Sequence, residues 1–263
     1  MKVSEKLNVG ILREALGTTA IELCVMDTVD STNAVARRAL QGGLRHPTAF
    51  VADAQTAGRG RMGRSFYSPA DTGIYCSLLL PMNQVQVDTV SVTAVAAVAV
   101  RRAILRVTGV STAIKWVNDL YLGDRKVCGI LAETAMGDEG RYLILGVGVN
   151  LCTDHFPDEL CSIAGSLLAD GSGLRNRLTA ELIVELSESL LRASDGAWLD
   201  EYRAHSNILG RPIRYTEQGR EAFGIAEAID EMGHLIVRQA DGSLAVLASG
   251  EISVRISETK KEN

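Results

Sequence analysis

Between Thr112 and Asn150 short apolar runs alternate with brief turns, and no other stretch limits the folding of this chain as strongly. Thr112 to Val117, Leu120 to Leu122, Val127 to Thr134 and Tyr142 to Val149 each read as strands, and Gly123-Asp124 supplies a plausible turn. Apolar strands joined so tightly point to a largely antiparallel sheet.

The flanking segments add helices and further strands. Ile11 to Leu16 has a short helical pattern, and residues 21–26 (IELCVM) read as a strand. A polar turn, Asp27 to Thr32, leads into the helical run NAVARRAL, with Ser31 or Thr32 as its cap. Ala49 to Ala54 and Gly73 to Leu80 are expected strands, the second ended by Pro81. Residues 84–107 are rich in alanine and valine; that composition is ambiguous, but the length favours a buried helix. Residues 179–203 form an amphipathic pattern that puts Leu182, Leu186, Leu190 and Leu191 on one helical face. After Gly210 come short glycine-punctuated strands, PIRYT, EAFGIAEAID, HLIVRQ, LAVLAS and EISVRI, with the texture of a small barrel-like domain.

Composition excludes several classes of function. A hydrophobic fraction of 46% and a charged fraction of 22% belong to a folded chain. The formal net charge of -5 argues against DNA or RNA as the main partner, though not against ATP. The 5 cysteines match no common metal spacing, and Cys76, Cys128 and Cys152 lie in apolar runs as small core residues, which fits a reducing cytoplasm. The 4 histidines are scattered, without an HExxH motif, so structural zinc is not expected. Ser65 and Ser68 have no GxSxG context. The N-terminus lacks a signal-peptide apolar core, and the stretch Val90 to Val100 is too short to span a membrane.

The sharpest chemical signal is Gly58-Arg59-Gly60-Arg61-Met62-Gly63-Arg64. Three arginines so close repel one another, and an anion would justify holding them together; the alternative is a solvated basic loop. The pattern is neither a P-loop, lacking a closing Gly-Lys-Ser/Thr, nor an ordinary dinucleotide fingerprint. Lys115-Trp116-Val117-Asn118-Asp119 and Arg125-Lys126 set charges among apolar strands near turns. There Lys126 is suited to neutralising a phosphate and Asp119 to helping hold Mg2+, against ordinary turn and surface roles; Trp116 reads equally as core. In Asp30-Ser31-Thr32-Asn33 the hydroxyls either cap the helix or read the polar head of a small molecule. The glycines of Gly146-Val147-Gly148-Val149-Asn150 either mark close backbone approach or form a turn.

Taken together, DSTN at 30–33, QTAGRGRMGR at 55–64, KWVNDLYLGDRKVCGIL at 115–131 and GVGVN at 146–150 closely resemble the biotin–protein ligase family, in order and separation, over residues 21–256. The resemblance implies an α+β protein. A short helical segment (1–20) would precede a catalytic domain (21–206), a mixed central β-sheet flanked by helices as in class II synthetases. A small C-terminal SH3-like β-barrel (207–257) and a polar tail (258–263) would follow. It also implies residue roles: Ser31, Thr32 and Asn33 toward biotin, Gln55 toward biotin or the adenylate, and Arg59, Gly60 and Arg61 closing over biotinyl-adenylate. Lys126 would lie at the activated carboxyl. Arg61, Trp116, Asn118, Asp119 and Asn150 would face the nucleotide, with Asp119 on the metal side. Phe66 stands where the family has tryptophan and Val117 where it has proline; both stay apolar.

The activity implied is conversion of biotin and ATP to biotinyl-5'-AMP and pyrophosphate, then transfer to a lysine of a biotin carboxyl carrier protein or domain, with Mg2+ assisting. A homodimer is expected by the same resemblance. Some members carry an N-terminal winged helix, and this chain begins too close to the catalytic region to hold one, so specific DNA binding is not expected. The rival readings are a lipoate–protein ligase, with the same adenylate chemistry, and a binding protein that has lost activity.

Overall fold

The structure is a computed structural model and describes residues 5–87, 91–171, 173–217, 220–248 and 255–256. In chain order, α1 (Val9–Leu16) precedes β1 (Glu22–Val29), α2 (Thr32–Gln41), β2 (Thr48–Gln55) and β3 (Gly73–Pro81). Then follow α3 (Val92–Thr108), β4 (Ala113–Lys115), β5 (Asp119–Leu122), β6 (Arg125–Gly137) and β7 (Gly140–Asn150). These strands form one sheet in the order β1-β2-β3-β7-β6-β5-β4. Only the β1–β2 pair, bridged by α2, is parallel; every other neighbour pair is antiparallel. The mixed character follows from chain economy, since a parallel pair needs a crossover and the hairpins do not.

Side chains alternate across each strand and feed two apolar layers. On one face Phe50, Leu79 and Ile144 pack with Ala36 and Leu40 of α2. On the other, Val51, Leu78 and Leu145 join the large core with α3, α4 (Arg175–Arg192) and α5 (Ala197–Ala204). α3 is buried around most of its circumference, as its alanine- and valine-rich sequence requires of a helix packed between layers. It ends at Gly109, whose φ of 72° is the left-handed C-terminal turn that glycine adopts readily. The single helix expected over residues 179–203 is two helices, interrupted at Gly196 with φ 71°. The fully buried Arg175 ties the start of α4 to the sheet: Nε donates to the Gly73 carbonyl at 2.8 Å, and Nη1 pairs with Asp53.

The C-terminal strands β8 (Pro212–Glu217), β9 (Arg220–Ile229), β10 (Leu235–Arg238), β11 (Leu244–Leu247) and β12 (Arg255–Ile256) lie in the order β11-β10-β9-β8-β12. Among the described residues no pairing joins β11 to β12, so this is an open antiparallel sheet, not the small barrel that the strand pattern suggested and the family resemblance made SH3-like. The reason lies in what covers its inner face. Ile213, Tyr215, Ala226, Leu235, Val237 and Leu247 share the large core of the catalytic domain, so the sheet need not curl on itself to bury them. Further ties are Trp116 Nε1 to the Gly233 carbonyl at 2.9 Å and Arg203 Nε to the Ile229 carbonyl at 2.8 Å.

Candidate active site

Cross-strand register builds the floor of the site on the α2 face. Tyr75, Gly148, Gly129 and Asp119 fall in one row across β3, β7, β6 and β5; Ser77, Gly146 and Leu131 fall in the next, and Leu79, Ile144 and Glu133 in a third. The three glycines leave a trough, and the chain's own side chains lie against its backbone. A Cβ at position 148 would stand 2.6 Å from the Phe66 ring, and one at 146 only 2.2 Å from Asn33 Oδ1. The glycines of GVGVN therefore sit mid-strand for close approach, not in a turn. Phe66 meets Tyr75 edge-on, with ring centroids 6.4 Å apart. A shallow cavity of about 190 Å3 lined by Ala132, Glu133, Thr134, Arg141 and Leu143 shares only Glu133 with this cluster.

One end of the trough is polar and neutral. Ser31 is at the N-cap of α2, but no side chain caps the helix there. The Thr32 backbone N–H donates to Gln55 Oε1 at 2.9 Å, and its hydroxyl lies 2.7 Å from Ser77 Oγ. Ser77 Oγ lies 2.6 Å from Asn33 Oδ1, and Asn33 Nδ2 donates to Glu133 Oε2 at 2.8 Å. Gln55 Nε2 donates to Ser68 Oγ at 2.8 Å, and Ser68 to the Phe66 carbonyl at 3.0 Å. Ser31, Thr32, Asn33, Ser68 and Ser77 are all buried. Every described link is a short polar contact, as burial of such groups demands.

The other end is charged. The 58–64 segment folds back on itself: Gly60 N donates to the Arg64 carbonyl at 2.7 Å and Phe66 N to the Gly58 carbonyl at 2.9 Å. A Cβ on Gly58 would stand 2.4 Å from the Phe66 carbonyl oxygen, which is why this turn needs glycine. The fold separates the arginines. Arg59 and Arg64 are exposed, while Arg61 turns inward, its Nη1 donating to Asn118 Oδ1 at 3.1 Å. Asn118 is fixed in turn, with Nδ2 on the Ile130 carbonyl at 2.7 Å. Arg61 Nη2 is buried and has no hydrogen-bond partner. Burial lowers the Arg61 pKa from its ordinary value, and the nearby Asp119 carboxylate opposes that shift. Lys126 Nζ lies 2.7 Å from Asp119 Oδ1, an ion pair whose angles do not make it a hydrogen bond, since the same oxygen is buried without a hydrogen-bond partner.

Thr32, Asn33 and Gln55 thus gather at the polar end, and Arg61, Asn118, Asp119 and Lys126 at the charged end. Arg59 and Gly60 belong to the loop between. Trp116 is elsewhere, in the core with its indole N–H on the Gly233 carbonyl. Asn150 closes β7 with Nδ2 on the Gly165 carbonyl at 3.1 Å and Oδ1 buried without a partner. Gly165 N donates to the Lys126 carbonyl at 2.9 Å, so residues 163–165 strap Lys126 to Asn150. Sequence reasoning passed over this strap, Ser77 and Glu133, and weighed Ser68 only as a hydrolase nucleophile. Ser77 and Glu133 had a signal: Ser77 is a hydroxyl within an apolar strand and Glu133 the one acidic residue of β6, both on the face that also carries the glycines. The thiol of Cys76 is fully buried, which pushes its pKa up to about 12, as befits a core side chain rather than a nucleophile.

A glycine trough with a neutral polar end and a cationic end has the layout that an acyl-activating protein ligase requires. In agreement, residues 25–150 match the Biotin/lipoate A/B protein ligase family and residues 208–255 the Biotin protein ligase C terminal domain. The chain is 31% identical over 243 residues to the bifunctional ligase/repressor BirA of Salmonella typhimurium, covering 90% of this chain and 75% of that one. It is 32% identical to the biotin--[acetyl-CoA-carboxylase] ligase of Mycobacterium tuberculosis, covering 88% of each. The biotin protein ligase of Aquifex aeolicus in complex with biotin and ATP superposes with a TM-score of 0.76 at 26% identity, covering 90% of this chain and 99% of that one. The chain belongs to the biotin–protein ligase family.

Proposed function

We propose that the trough holds biotin with its ring head at Thr32, Asn33, Gln55 and Ser77 and its carboxylate at Lys126, and that ATP enters beside Arg61, Asn118 and Asp119. The observation that carries this reading is the buried, unpartnered Nη2 of Arg61 at the charged end. A guanidinium nitrogen hidden from water costs free energy until an anion meets it. A molecule with a neutral polar head, an apolar body and an anionic end fits a neutral pocket, a glycine floor and a cationic terminus in turn.

The reaction is then an ATP-dependent ligation. The biotin carboxylate attacks the α-phosphorus of ATP, an acyl–phosphate bond forms, and pyrophosphate leaves. The nucleophile is already ionised at neutral pH, so the barrier is mainly that of bringing two anions together. Arg61 and Lys126 supply the compensating charge. The ε-amine of a carrier lysine next attacks the mixed anhydride, giving the amide and releasing AMP. The loop over the trough keeps water from the adenylate.

Among the described residues no group of three or more His, Cys, Asp or Glu is placed to hold a metal, which suits an ion that arrives on the nucleotide phosphates. The buried Asp119 oxygen fits as a single protein ligand to such a Mg2+, whose charge would help neutralise the phosphates. The acceptor class is a biotin carboxyl carrier protein or domain, and no helix among the described residues is long and apolar enough to cross a membrane. The test is incubation with [α-32P]ATP and biotin, with and without a carrier domain. Labelled biotinyl-AMP that is consumed on adding carrier supports the reading, and no adenylate at all refutes it.

A further inference from the structure

The turn of residues 116–118 joins β4 to β5, carries Asn118 and leads into Asp119. It is held from beneath by a residue outside every motif. Val117 is 2% exposed, so its carbonyl is closed to water and needs a protein donor. The Tyr202 hydroxyl donates to it at 3.1 Å. Tyr202 belongs to α5, in the helical layer behind the sheet, and is fully buried. Its ring meets Trp198 edge-on with centroids 6.5 Å apart, and the Trp198 indole N–H is fixed in turn on the Ala193 carbonyl at 3.2 Å. The hydroxyl is thus carried on a ring with little freedom to move. Burial pushes the Tyr202 pKa far above its ordinary value, the Asp119 carboxylate pushes it further, and Arg61 opposes both. The phenol stays protonated, as a donor must, and it lies within electrostatic reach of both groups at the charged end.

We propose that Tyr202 is a positioning residue that sets the peptide plane between Val117 and Asn118, and so the placement of Asn118 and Asp119 toward the nucleotide. This rests on the reading that ATP enters beside Arg61, Asn118 and Asp119. The Val117 carbonyl and the Asn118 N–H share one planar unit, so a held oxygen fixes the direction in which the chain leaves for Asn118. Asn118 has little tolerance for a tilt. Its Oδ1 receives Arg61 Nη1 at 3.1 Å while its Nδ2 donates to the Ile130 carbonyl at 2.7 Å. Asp119 follows, with Oδ1 2.7 Å from Lys126 Nζ. A rotated plane therefore disturbs the charged end, whereas Thr32, Asn33, Gln55 and Ser77 hang on α2, β2 and β3 and are spared. Phenylalanine at position 202 keeps the ring and its packing on Trp198 and removes only the donor. The buried Val117 carbonyl is then unsatisfied, and the turn shifts to relieve it.

The experiment compares the full chain as wild type, Y202F and Y142F. Tyr142 is a matched control: it is also buried and its hydroxyl donates to a carbonyl, that of Arg45 at 3.3 Å, with no link to the 116–118 turn. Each protein is melted, titrated with biotin by calorimetry, and assayed for adenylation at saturating biotin over a range of ATP. Both variants are expected to melt below wild type. Only Y202F is expected to raise the KM for ATP, by about fivefold or more, the worth of one neutral hydrogen bond, with kcat falling by a smaller factor. Its biotin Kd should stay within about twofold of wild type, because the polar end is untouched. A merely structural role moves ATP and biotin parameters together, or moves neither, or gives Y142F the same ATP defect. Any of those results overturns the inference. A Y202F chain that fails to fold while Y142F folds also overturns it, since the hydroxyl would then serve the core as a whole. If wild type itself forms no adenylate, the ATP reading has failed instead.

Discussion

Replacing Gly146 by alanine tests the close contact at the centre of the site. The added Cβ would stand 2.2 Å from Asn33 Oδ1 and 3.0 Å from its Cγ. Ordinary contact requires about 3.5 Å, so the amide must withdraw by about 1 Å. It is held at both ends, by Ser77 at 2.6 Å and by Glu133 at 2.8 Å, and a shift of that size breaks at least one bond and stretches the other. The neutral contact contributes about 1 kcal/mol and the one to an ionised group about 1.5–3 kcal/mol, so the expected destabilisation is about 2–4 kcal/mol. At about 2–4 °C per kcal/mol for a chain of this size, the melting temperature should fall by about 5–15 °C, and biotin affinity should drop by at least about tenfold. Gly148→Ala is the control. Its Cβ would meet the Phe66 ring at 2.6 Å, but that ring is half-buried on a loop and can swing aside. The stability loss there should be smaller. Scanning calorimetry and biotin titration measure both quantities. A G146A protein that melts within about 1 °C of wild type and binds biotin equally well would refute the reasoning.

Other variants separate the roles of individual side chains. Arg61→Ala should leave the melt nearly unchanged but raise the dissociation rate of biotinyl-AMP by roughly ten- to a hundred-fold, one lost charged hydrogen bond; an unchanged off-rate in a folded variant would remove Arg61 from the ligand's grip. Lys126→Ala should slow adenylation far more than it weakens folding, because the partner it leaves, Asp119, is partly solvent-accessible; wild-type adenylation kinetics would exclude Lys126 from the reacting carboxylate. Trp116→Phe should lose the bond to the Gly233 carbonyl, about 1 kcal/mol of stability, with an unchanged KM for ATP; a raised KM without a change in melt would assign the indole to the nucleotide after all.

Local pattern and global closure differ in how far a sequence reveals them. The strands around Gly123-Asp124 were legible because short apolar runs joined by brief turns constrain neighbours directly, whereas the mixed sheet was legible only through the family resemblance. The break at Gly196 was not, because the amphipathic pattern continues across it. The C-terminal runs alternate in and out, with Phe223, Ile225, Leu244 and Val246 exposed on the outer face, and such alternation is common to open and closed sheets. Closure depends on which distant strand pairs with which, and here a larger core already buries the inner face. In the site, the motifs brought Arg61, Asn118, Asp119 and Lys126 together, but they did not separate Arg61, which turns inward, from Arg59, which is exposed. Trp116 illustrates the same limit: its place in a motif does not tell whether its ring meets a nucleotide or the neighbouring sheet. Ser77 and Glu133 escaped notice because their partner, Asn33, reaches them across strands distant in the chain.

The central claim is that this trough activates biotin as its adenylate, and mass spectrometry of the reaction mixture tests it most directly. The purified chain is incubated with ATP and Mg2+ plus either biotin or lipoate, quenched, and assayed for acyl-AMP. A carrier domain is then added and its mass followed. The account predicts biotinyl-AMP with biotin, little or no lipoyl-AMP with lipoate, and a mass increase of one biotinyl group on the carrier. Lipoyl-AMP as the dominant adenylate, or no adenylate from either acid, would contradict it.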